Sequence, residues 1–179
     1  MTARVLTLTV AVALSTTLKA VDWESLIPAI EPVLQKSLSG SANVGERYPI
    51  SIRAKADLTG DGTEEALVYL GDGGSSTDFL TLMRIEGGKP VLARYKGKDG
   101  KPCCELIVEG SSVRHSAGVK LLPGVHTIYF GSSTTDDSLR IDTCAVSAYR
   151  WNARTKTFDF NKLLSKKVKK DYCRLASGK

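Results

Sequence analysis

Oxygen-bearing side chains occupy every second position of one short segment. They are Asp57, Thr59, Asp61, Thr63 and Glu65. A hard cation such as calcium binds about six to eight oxygen ligands, and a tightly turning backbone that points alternate side chains inward supplies them. Gly60 and Gly62 permit that turn, because glycine adopts backbone angles that other residues avoid. The segment therefore predicts a calcium site formed by a single loop.

The predicted ligands of this site differ in chemistry. Asp57, Asp61 and Glu65 supply carboxylates. Thr59 contributes a side-chain oxygen, and Thr63 contributes its backbone carbonyl oxygen. A polar β-turn of the same shape that binds no metal is the alternative.

The last acid of the segment distinguishes between classes of calcium loop. The helix-flanked loop requires a bidentate Glu at its twelfth position, and counting from Asp57 that position is Val68. Here the acid is Glu65, at the ninth position and directly before an apolar run. This pattern resembles the calcium loops of FG-GAP and VCBS-type repeats, and of small secreted bacterial proteins with one such loop before a strand. The resemblance implies calcium binding and blade-like β-units.

Two positions depart from the pattern of that family. Thr59 stands where the family usually has Asp or Asn, and Glu65 stands where Asp is frequent. With three carboxylates in place, the expected affinity is in the ~0.1–1 mM range of extracellular modules.

Periodic apolar patterns predict the elements that position the loop. Residues 66–70 form an apolar run, which predicts a buried strand leaving the loop. Residues 48–56 alternate apolar and polar side chains, which predicts a strand entering it. Upstream, residues 22–39 have apolar residues at helical spacing, and Trp23 is predicted to pack this helix onto the sheet. Two prolines predict a kink or two shorter helices.

The chain contains two similar β-hairpin patterns about 60 residues apart. In each pattern a strand runs into a polar loop, at residues 71–78 in the first and at 132–137 in the second. We therefore predict a mainly β (α+β) domain of antiparallel hairpins in two blade-like units, at about residues 48–110 and about 112–160. The second unit has no carboxylate at residues 117–120, the place that corresponds to the metal loop. Chance similarity between hairpins is the alternative.

Residues 161–179 form a basic tail with a helical apolar pattern. Its lysines are Lys162, Lys166, Lys167, Lys169 and Lys170. We predict a basic amphipathic helix, whose charged side is either a solvated face or attracts an anionic surface or polysaccharide.

Residues 1–20 have the layout of a secretory signal peptide, with a basic start, a short apolar core and small residues. Cleavage is predicted after Ala20, or alternatively after Ser15. The mature chain, about residues 21–179, is expected to be one secreted or periplasmic domain with no membrane span. Its formal net charge falls from +6 to about +4 with loss of the signal, which is too weak to predict nucleic-acid binding.

All four cysteines lie in the exported part of the chain. They are Cys103, Cys104, Cys144 and Cys173. An even number of cysteines in an oxidising compartment predicts two disulfides. A bond between Cys103 and Cys104 is disfavoured, because adjacent cysteines bridge only through a strained ring. Cys144 and Cys173 are therefore expected to bond to that pair, in either of the two remaining arrangements.

No motif in the chain predicts an enzyme. The two histidines, His115 and His126, have no metal-ligand spacing, and no nucleophile elbow or phosphate-binding loop is present. We predict an exported, non-catalytic calcium-binding module for an unknown protein or polysaccharide. A secreted hydrolase, or a hydrolase inhibitor that uses the loop at residues 71–78 or 132–137, is the alternative.

Overall fold

The computed structural model describes residues 19–37, 49–74, 76–103, 105–111, 115–136 and 141–176. In these ranges the protein is mainly β, with two α-helices and a disulfide bond. The predicted fold class is confirmed at this level. The predicted signal peptide lies outside the described residues, except for Lys19 and Ala20.

Among the described residues, one helix precedes the strands and one follows them. The helices are α1 (Ile27–Ser37) and α2 (Lys162–Ala176). The strands are β1 (Ser51–Ala56), β2 (Glu65–Gly74), β3 (Thr77–Glu86), β4 (Lys89–Leu92), β5 (Tyr95–Lys96), β6 (Pro102–Cys103), β7 (Ile107–Ser111), β8 (His115–Leu122), β9 (Thr127–Thr135), β10 (Ile141–Asn152) and β11 (Thr157–Phe160). A single 3₁₀ turn, Pro123–Val125, stands between β8 and β9 among the described elements.

The strands form one hydrogen-bonded sheet in the order β1-β2-β3-β7-β8-β9-β10-β11-β5-β6, with β4 paired to β3. Strands β1 to β4 make an antiparallel meander, here the first meander, and β8 to β11 make the second. Ala93 and Arg94 separate β4 from β5, and β5 pairs with β11 in parallel. From β3, the pairing of strands can be followed through β7 and the second meander to β5. Because β5 follows β4 along the chain and β4 pairs with β3, the sheet closes on itself.

One hydrophobic cluster fills the space that this ring encloses. Its buried members come from both meanders and from the segments between them. They are Leu58, Leu67, Leu80, Leu82, Ala93, Tyr95, Ile107, Ile128, Tyr149 and Phe158. A shared core of this kind favours closure of the sheet, because apolar residues from both meanders leave water in it.

A second cluster lies beneath α1, on the opposite face of β2 and β3. Its buried members are Trp23, Ile30, Leu34, Ile50, Ala66, Val68, Leu70 and Met83. Strand β2 contributes to both clusters, and this confirms the prediction of a buried strand at residues 66–70. Trp23 is fully buried and packs the helical segment onto the sheet, as predicted.

Helix α1 is shorter than the sequence predicts. It begins at Ile27, after turns at residues 23–26. Pro28 therefore lies in the first turn, where no intrahelical partner is lost, and Pro32 lies inside the helix. The end of the predicted range, residues 38–39, lies outside the described residues.

The two predicted polar loops are mostly strand, so these predictions are wrong. In the first, β2 continues to Gly74 and β3 begins at Thr77, and register shifts after Tyr69 and Asp72 accommodate the glycines. In the second, residues 132–135 belong to β9, which pairs with both β8 and β10. Pairing on both edges satisfies the backbone groups and outweighs the turn preference of Ser and Thr.

The predicted disulfide pairing is also wrong. Cys144 of β10 is bonded to Cys173 of α2, with 6.1 Å between their Cα atoms. Cys103 lies in β6, and its sulfur is 3.8 Å from the hydroxyl oxygen of Tyr149. Because Cys144 is bonded to Cys173, it forms no bond with Cys103. Cys104 lies outside the described residues.

Among the described residues, no helix has the length and apolar character needed to cross a membrane.

Candidate functional site

The predicted metal loop is the connection between β1 and β2, here called the first turn (residues 57–64). Ala56 and Glu65 pair at its base, so the two strands hold its ends together. Leu58 is fully buried and belongs to the cluster inside the ring. This apolar anchor fixes the turn to the core, while the polar residues around it remain at the surface of the sheet.

The carboxylate of Glu65 closes the base of the first turn. It is 2 % exposed, and its Oε2 accepts hydrogen bonds from the backbone N–H groups of Leu58 at 2.6 Å and Thr59 at 3.1 Å. The hydroxyl of Thr59 donates to Oε1 over 3.3 Å. A buried carboxylate with several donors is a stabilising part of the turn, since unpaired backbone donors at this depth would be costly.

The other two acids bind the tip of the turn. Asp57 accepts from Gly60 N at 2.6 Å and from Gly62 N at 3.1 Å, one bond to each carboxylate oxygen. Asp61 Oδ1 accepts from Thr63 N at 2.8 Å. Both arrangements are local side-chain-to-backbone turns of the kind that Asp favours. All three predicted carboxylates are therefore directed into the turn.

The glycines of the first turn have the backbone conformation that the sequence predicts. The φ angles of Gly60 and Gly62 are 76° and 84°, a region that glycine adopts without strain. Gly60 also lies against the ring of His126, because a methyl group on Gly60 would lie 2.6 Å from the ring carbon Cε1. Position 60 is thus restricted to glycine by both conformation and space.

The N-terminal segment lies along the other side of the first turn. Lys19 N donates to the carbonyl of Gly62 at 2.6 Å, and Lys19 forms a parallel bridge with Thr63. The indole Nε1–H of Trp23 donates to the carbonyl of Glu64 at 3.0 Å. The carbonyls on both sides of Thr63 are therefore held by residues from outside the turn.

Burial and negative neighbours raise the pKa of Glu65. Burial is the main cause and takes the pKa from its ordinary 4.5 to about 7, with the charges of Asp61 and Asp57 acting in the same direction. The hydrogen bonds from Leu58 and Thr59 oppose this change. The ionised turn therefore concentrates negative charge that a cation would stabilise.

The chemistry of the donors in this turn favours calcium, whereas their arrangement does not form a ready-made metal site. Oxygen donors of the kind that calcium prefers are gathered in one turn, and each carboxylate has lone pairs beyond those that accept backbone N–H groups. On the other hand, within the described ranges no three His, Cys, Asp or Glu side chains converge as a preassembled metal centre. The donor set suits calcium, and its carboxylates are directed toward the amides of the turn.

His126 is a neighbour of the turn that the sequence did not place there. It follows the 3₁₀ turn between β8 and β9 with a φ angle of 50°, and its Nδ1 is buried with no hydrogen-bond partner among the described residues. Its proximity to Gly60 joins segments that are far apart in the chain, and the local sequence holds no signal for it. His115 lies in β8.

Comparison with protein-family models, with curated proteins and with solved structures returns no match to this chain. The resemblance to FG-GAP and VCBS-type loops therefore remains a prediction from the residues of the first turn.

Proposed function

We propose that the first turn binds calcium and that this protein is an exported, non-catalytic module whose calcium-stabilised sheet contacts another molecule. The buried Glu65 carboxylate, with Asp57 and Asp61 beside it, is the observation that supports the proposal most. A divalent cation at this turn would favour the ionised form of Glu65 and offset the mutual repulsion of the acids. Thr59 and the carbonyl of Thr63 complete the proposed donor set.

The resemblance to FG-GAP and VCBS-type repeats suggests how calcium would act on the fold. We propose that the two meanders are the predicted blade-like units, and that only the first contains a calcium turn. Calcium would fix the connection between β1 and β2 and thereby the edge of the sheet. The partner in this proposal is a protein or a polysaccharide that recognises the ordered surface.

Export is part of the same proposal, and the N-terminal segment favours one of the two predicted cleavage sites. Cleavage after Ala20 would remove Lys19 and leave the carbonyl of Gly62 without its 2.6 Å donor. Cleavage after Ser15 would retain that bond. Mass spectrometry of the exported protein is expected to give an N-terminus at Thr16, whereas an N-terminus at Val21 would contradict this choice.

A thermal unfolding experiment tests calcium binding. With ~10 mM calcium and an affinity of ~0.1–1 mM, binding should stabilise the protein by about 2 kcal/mol relative to a chelator. For a domain of this size, that corresponds to a shift of about 5 °C in melting temperature. Coincident curves with calcium and with chelator would end the proposal.

Two aspartates give a matched pair of variants for this experiment. Asp61 Oδ1 accepts from the amide two residues later, and Asp99 Oδ1 accepts from Lys101 N, also two residues later, at 3.0 Å. Asp61→Asn and Asp99→Asn both retain an acceptor oxygen for that bond, yet only the first removes a proposed calcium ligand. The calcium shift should disappear in Asp61→Asn and persist in Asp99→Asn. Asp61→Ala should abolish it as well.

The alternative of a hydrolase or a hydrolase inhibitor gains no support from the described residues. The inhibitor would present the loop at residues 71–78 or 132–137, and most of those residues are paired in strands. A single proposed function is therefore retained.

A further inference from the structure

A groove with a basic wall lies between α2, the strands beneath it and the turn after β5. Its cavity has a volume of about 560 Å³, within the range of small-molecule pockets. The described lining residues are Lys98, Val146, Phe160, Lys162, Ser165, Lys166 and Lys169. We call this cavity the lysine groove.

The helix that forms one wall of the lysine groove is fixed at both ends. At its start, Ser165 Oγ donates to the carbonyl of Asn161 at 2.7 Å and accepts from Ala148 N of β10 at 2.9 Å. Near its end, the bond between Cys144 and Cys173 joins the helix to the same strand. Because α2 is anchored at these two places, the groove is a persistent feature of the fold rather than a gap beside a loose tail.

The charges of the groove come from two separate elements. Lys162, Lys166 and Lys169 follow one another at helical spacing, so they lie on one side of α2. Lys98 belongs to the turn between β5 and β6, and its Nζ is 5.2 Å from the ring centre of Phe160. Both elements therefore contribute positive charge to one cavity, and no described residue that lines it is acidic.

Two acids neighbour lining residues in sequence, and both bind other groups. Asp99, next to Lys98, accepts from Lys101 N at 3.0 Å. Asp159, next to Phe160, accepts from Asn152 Nδ2 at 2.7 Å and from the hydroxyl of Thr157 at 2.6 Å. Among the ion pairs of the described residues, none joins either carboxylate to a lysine of the groove.

The floor of the groove is apolar, since Val146 and Phe160 contribute to it and are only partly buried. A cavity with a basic rim and an apolar floor matches a ligand that has an anionic head and a hydrocarbon or aromatic body. Lysine recognises such a head as a point charge rather than through fixed bidentate geometry. The site therefore selects for charge and apolar area more than for one head-group shape.

We propose that the lysine groove binds a monomeric amphiphilic anion, an alkyl or aryl chain ending in a carboxylate, phosphate or sulfate. The head lies among the four lysines and the chain packs on Val146 and Phe160. This site is separate from the first turn, so the proposal does not depend on calcium. A membrane surface is the rival occupant, and it would meet the outward side of α2, where Leu163 is 80 % exposed beside Lys167 and Lys170.

Alkyl phosphates test the groove by titration calorimetry below the concentration at which they form micelles. Octyl phosphate is expected to bind about tenfold more tightly than butyl phosphate, because the added methylene groups reach the apolar floor. Octyl glucoside, which has a similar chain and no charge, should bind at least about tenfold more weakly than octyl phosphate. Equal affinity for the charged and neutral ligands would overturn the proposal.

Two pairs of lysines on α2 provide matched variants of equal charge. Lys166→Gln with Lys169→Gln removes two groove lysines, and Lys167→Gln with Lys170→Gln removes two lysines that do not line the groove. The first pair should weaken octyl phosphate binding about tenfold, and the second should change it less than about twofold. Equal weakening by both pairs would show non-specific attraction to a basic helix and would refute the site.

Phosphatidylglycerol vesicles and an acidic oligosaccharide complete the experiment. If binding to vesicles is strong, depends on Lys167 and Lys170, and octyl phosphate does not bind, the membrane is the occupant and the groove proposal fails. Tighter binding of oligogalacturonate than of octyl phosphate would equally contradict it. All four substituted lysines are exposed, so unchanged melting temperatures are expected, and Lys169→Gln alone replaces the first pair if that pair melts early.

Discussion

The two meanders contain turns at equivalent places that are built in different ways. The first turn joins β1 to β2 and is held by carboxylates that accept backbone N–H groups. Its counterpart, residues 123–126 between β8 and β9, is a 3₁₀ turn closed by the bond from His126 N to the Pro123 carbonyl at 2.9 Å. One turn satisfies its backbone through acids, and the other does so through its own peptide groups.

This difference between the two turns has a physical reason. A short turn with proline and internal hydrogen bonds needs no charge, whereas a longer turn with several orphan donors recruits carboxylates. Those carboxylates are the ligands of the calcium site proposed above. The second turn contains no acid, and its His126 only packs on Gly60 of the first. The second turn therefore lies next to the first but lacks its carboxylates.

The turns at the other ends of the meanders also meet. Glu86, at the end of β3, forms ion pairs with Arg84 and with Lys156, each at 2.7 Å, and Lys156 belongs to the turn between β10 and β11. Lys156 and Arg84 lower the pKa of Glu86. Arg84 also lies over the ring of Trp151, 5.3 Å from its centre. The meanders therefore touch through equivalent turns at both ends, by packing at one end and by ion pairs at the other.

The two helices extend the contrast. The N-terminal helical segment is held by apolar burial, chiefly of Trp23, Ile30 and Leu34. Helix α2 is held by a polar bond, a disulfide and the ring of Tyr172, which packs so closely on Gly131 that an added methyl group would lie 2.5 Å from it. Burial stabilises the first helix, and a covalent bond stabilises the second.

The largest expected loss of stability comes from removing a side chain that is buried beneath α1. Trp23→Ala should lower the free energy of unfolding by about 4 kcal/mol, because it leaves a cavity beneath α1 and removes the bond to the Glu64 carbonyl. Leu163→Ala, at an exposed position of α2, should change it by less than about 0.5 kcal/mol. Denaturant unfolding measures both. A loss of less than about 1 kcal/mol in Trp23→Ala would mean that α1 is not held by this core.

Removing the disulfide that holds α2 is expected to lower the stability almost as much. Replacing Cys144 and Cys173 with Ala opens a loop with a sequence separation of 29 residues. In the chain-entropy model this costs about 3.5 kcal/mol. Denaturant unfolding of the double variant measures the loss. Peptide mapping of the parent protein provides the control, and a fragment that joins Cys144 to Cys103 or Cys104 would reinstate the pairing that the sequence predicts.

The acids of the first turn should make stability depend on pH. Glu65 has an ordinary pKa of 4.5 and a folded pKa of about 7. Below pH 4.5 both the folded and unfolded states are protonated, so full stability is present. As pH rises toward 7 the unfolded state ionises first, and stability falls by about 3 kcal/mol before levelling off above the folded pKa.

Glu65→Gln and calcium test this slope separately. Glu65→Gln should remove most of the fall in unfolding free energy between about pH 4 and about pH 8. In the parent protein, calcium should have its greatest effect above the folded pKa of about 7, where Glu65 is ionised. Chemical unfolding at several pH values measures both effects. An identical pH profile in the variant would show that Glu65 is not the group that titrates.

The smallest expected effect compares the glycines of the two turns directly. Gly60→Ala should cost about 2 kcal/mol, because φ is 76° and the methyl group would meet His126. A methyl group on Gly124, in the second turn, would meet nothing within 4 Å. Gly124→Ala should therefore be neutral or stabilising by up to about 1 kcal/mol. If both substitutions lowered the melting temperature equally, Gly60 would be no more constrained than Gly124.

Several elements could be predicted from the sequence because their signals are local. The apolar run at residues 66–70 predicts the buried strand, and alternation predicts β1, since side chains of a strand point to opposite faces. The spacing of Asp57, Asp61 and Glu65 places all three acids in the first turn or directly after it, although their carboxylates do not converge as a preassembled metal centre in the described ranges. The burial of Trp23 is also predictable, because a large apolar ring next to a helical pattern has few alternatives to burial.

Other features depend on strands that are distant in the chain. The sequence suggests loops at residues 71–78 and 132–137 because Gly, Ser and Thr favour turns, but pairing partners are a property of the whole sheet. The predicted cysteine pairing is wrong for a similar reason, since spacing along the chain does not fix which residues face each other across β10 and α2. His126 beside Gly60 and the lysine groove could not be predicted at all, because each joins segments that are far apart in sequence.

The sequence by itself determined the strands that flank the first turn, the helical segments and the acidic composition of that turn, because these follow from propensities over a few neighbouring residues. The tertiary structure alone decided that the sheet closes through β4 and β5, that Cys144 meets Cys173, and that α2 forms one wall of a basic cavity. These are contacts between distant segments. They are chosen by burying both faces of β2 and β3 and by closing the ring around one core, a balance that involves the whole chain at once.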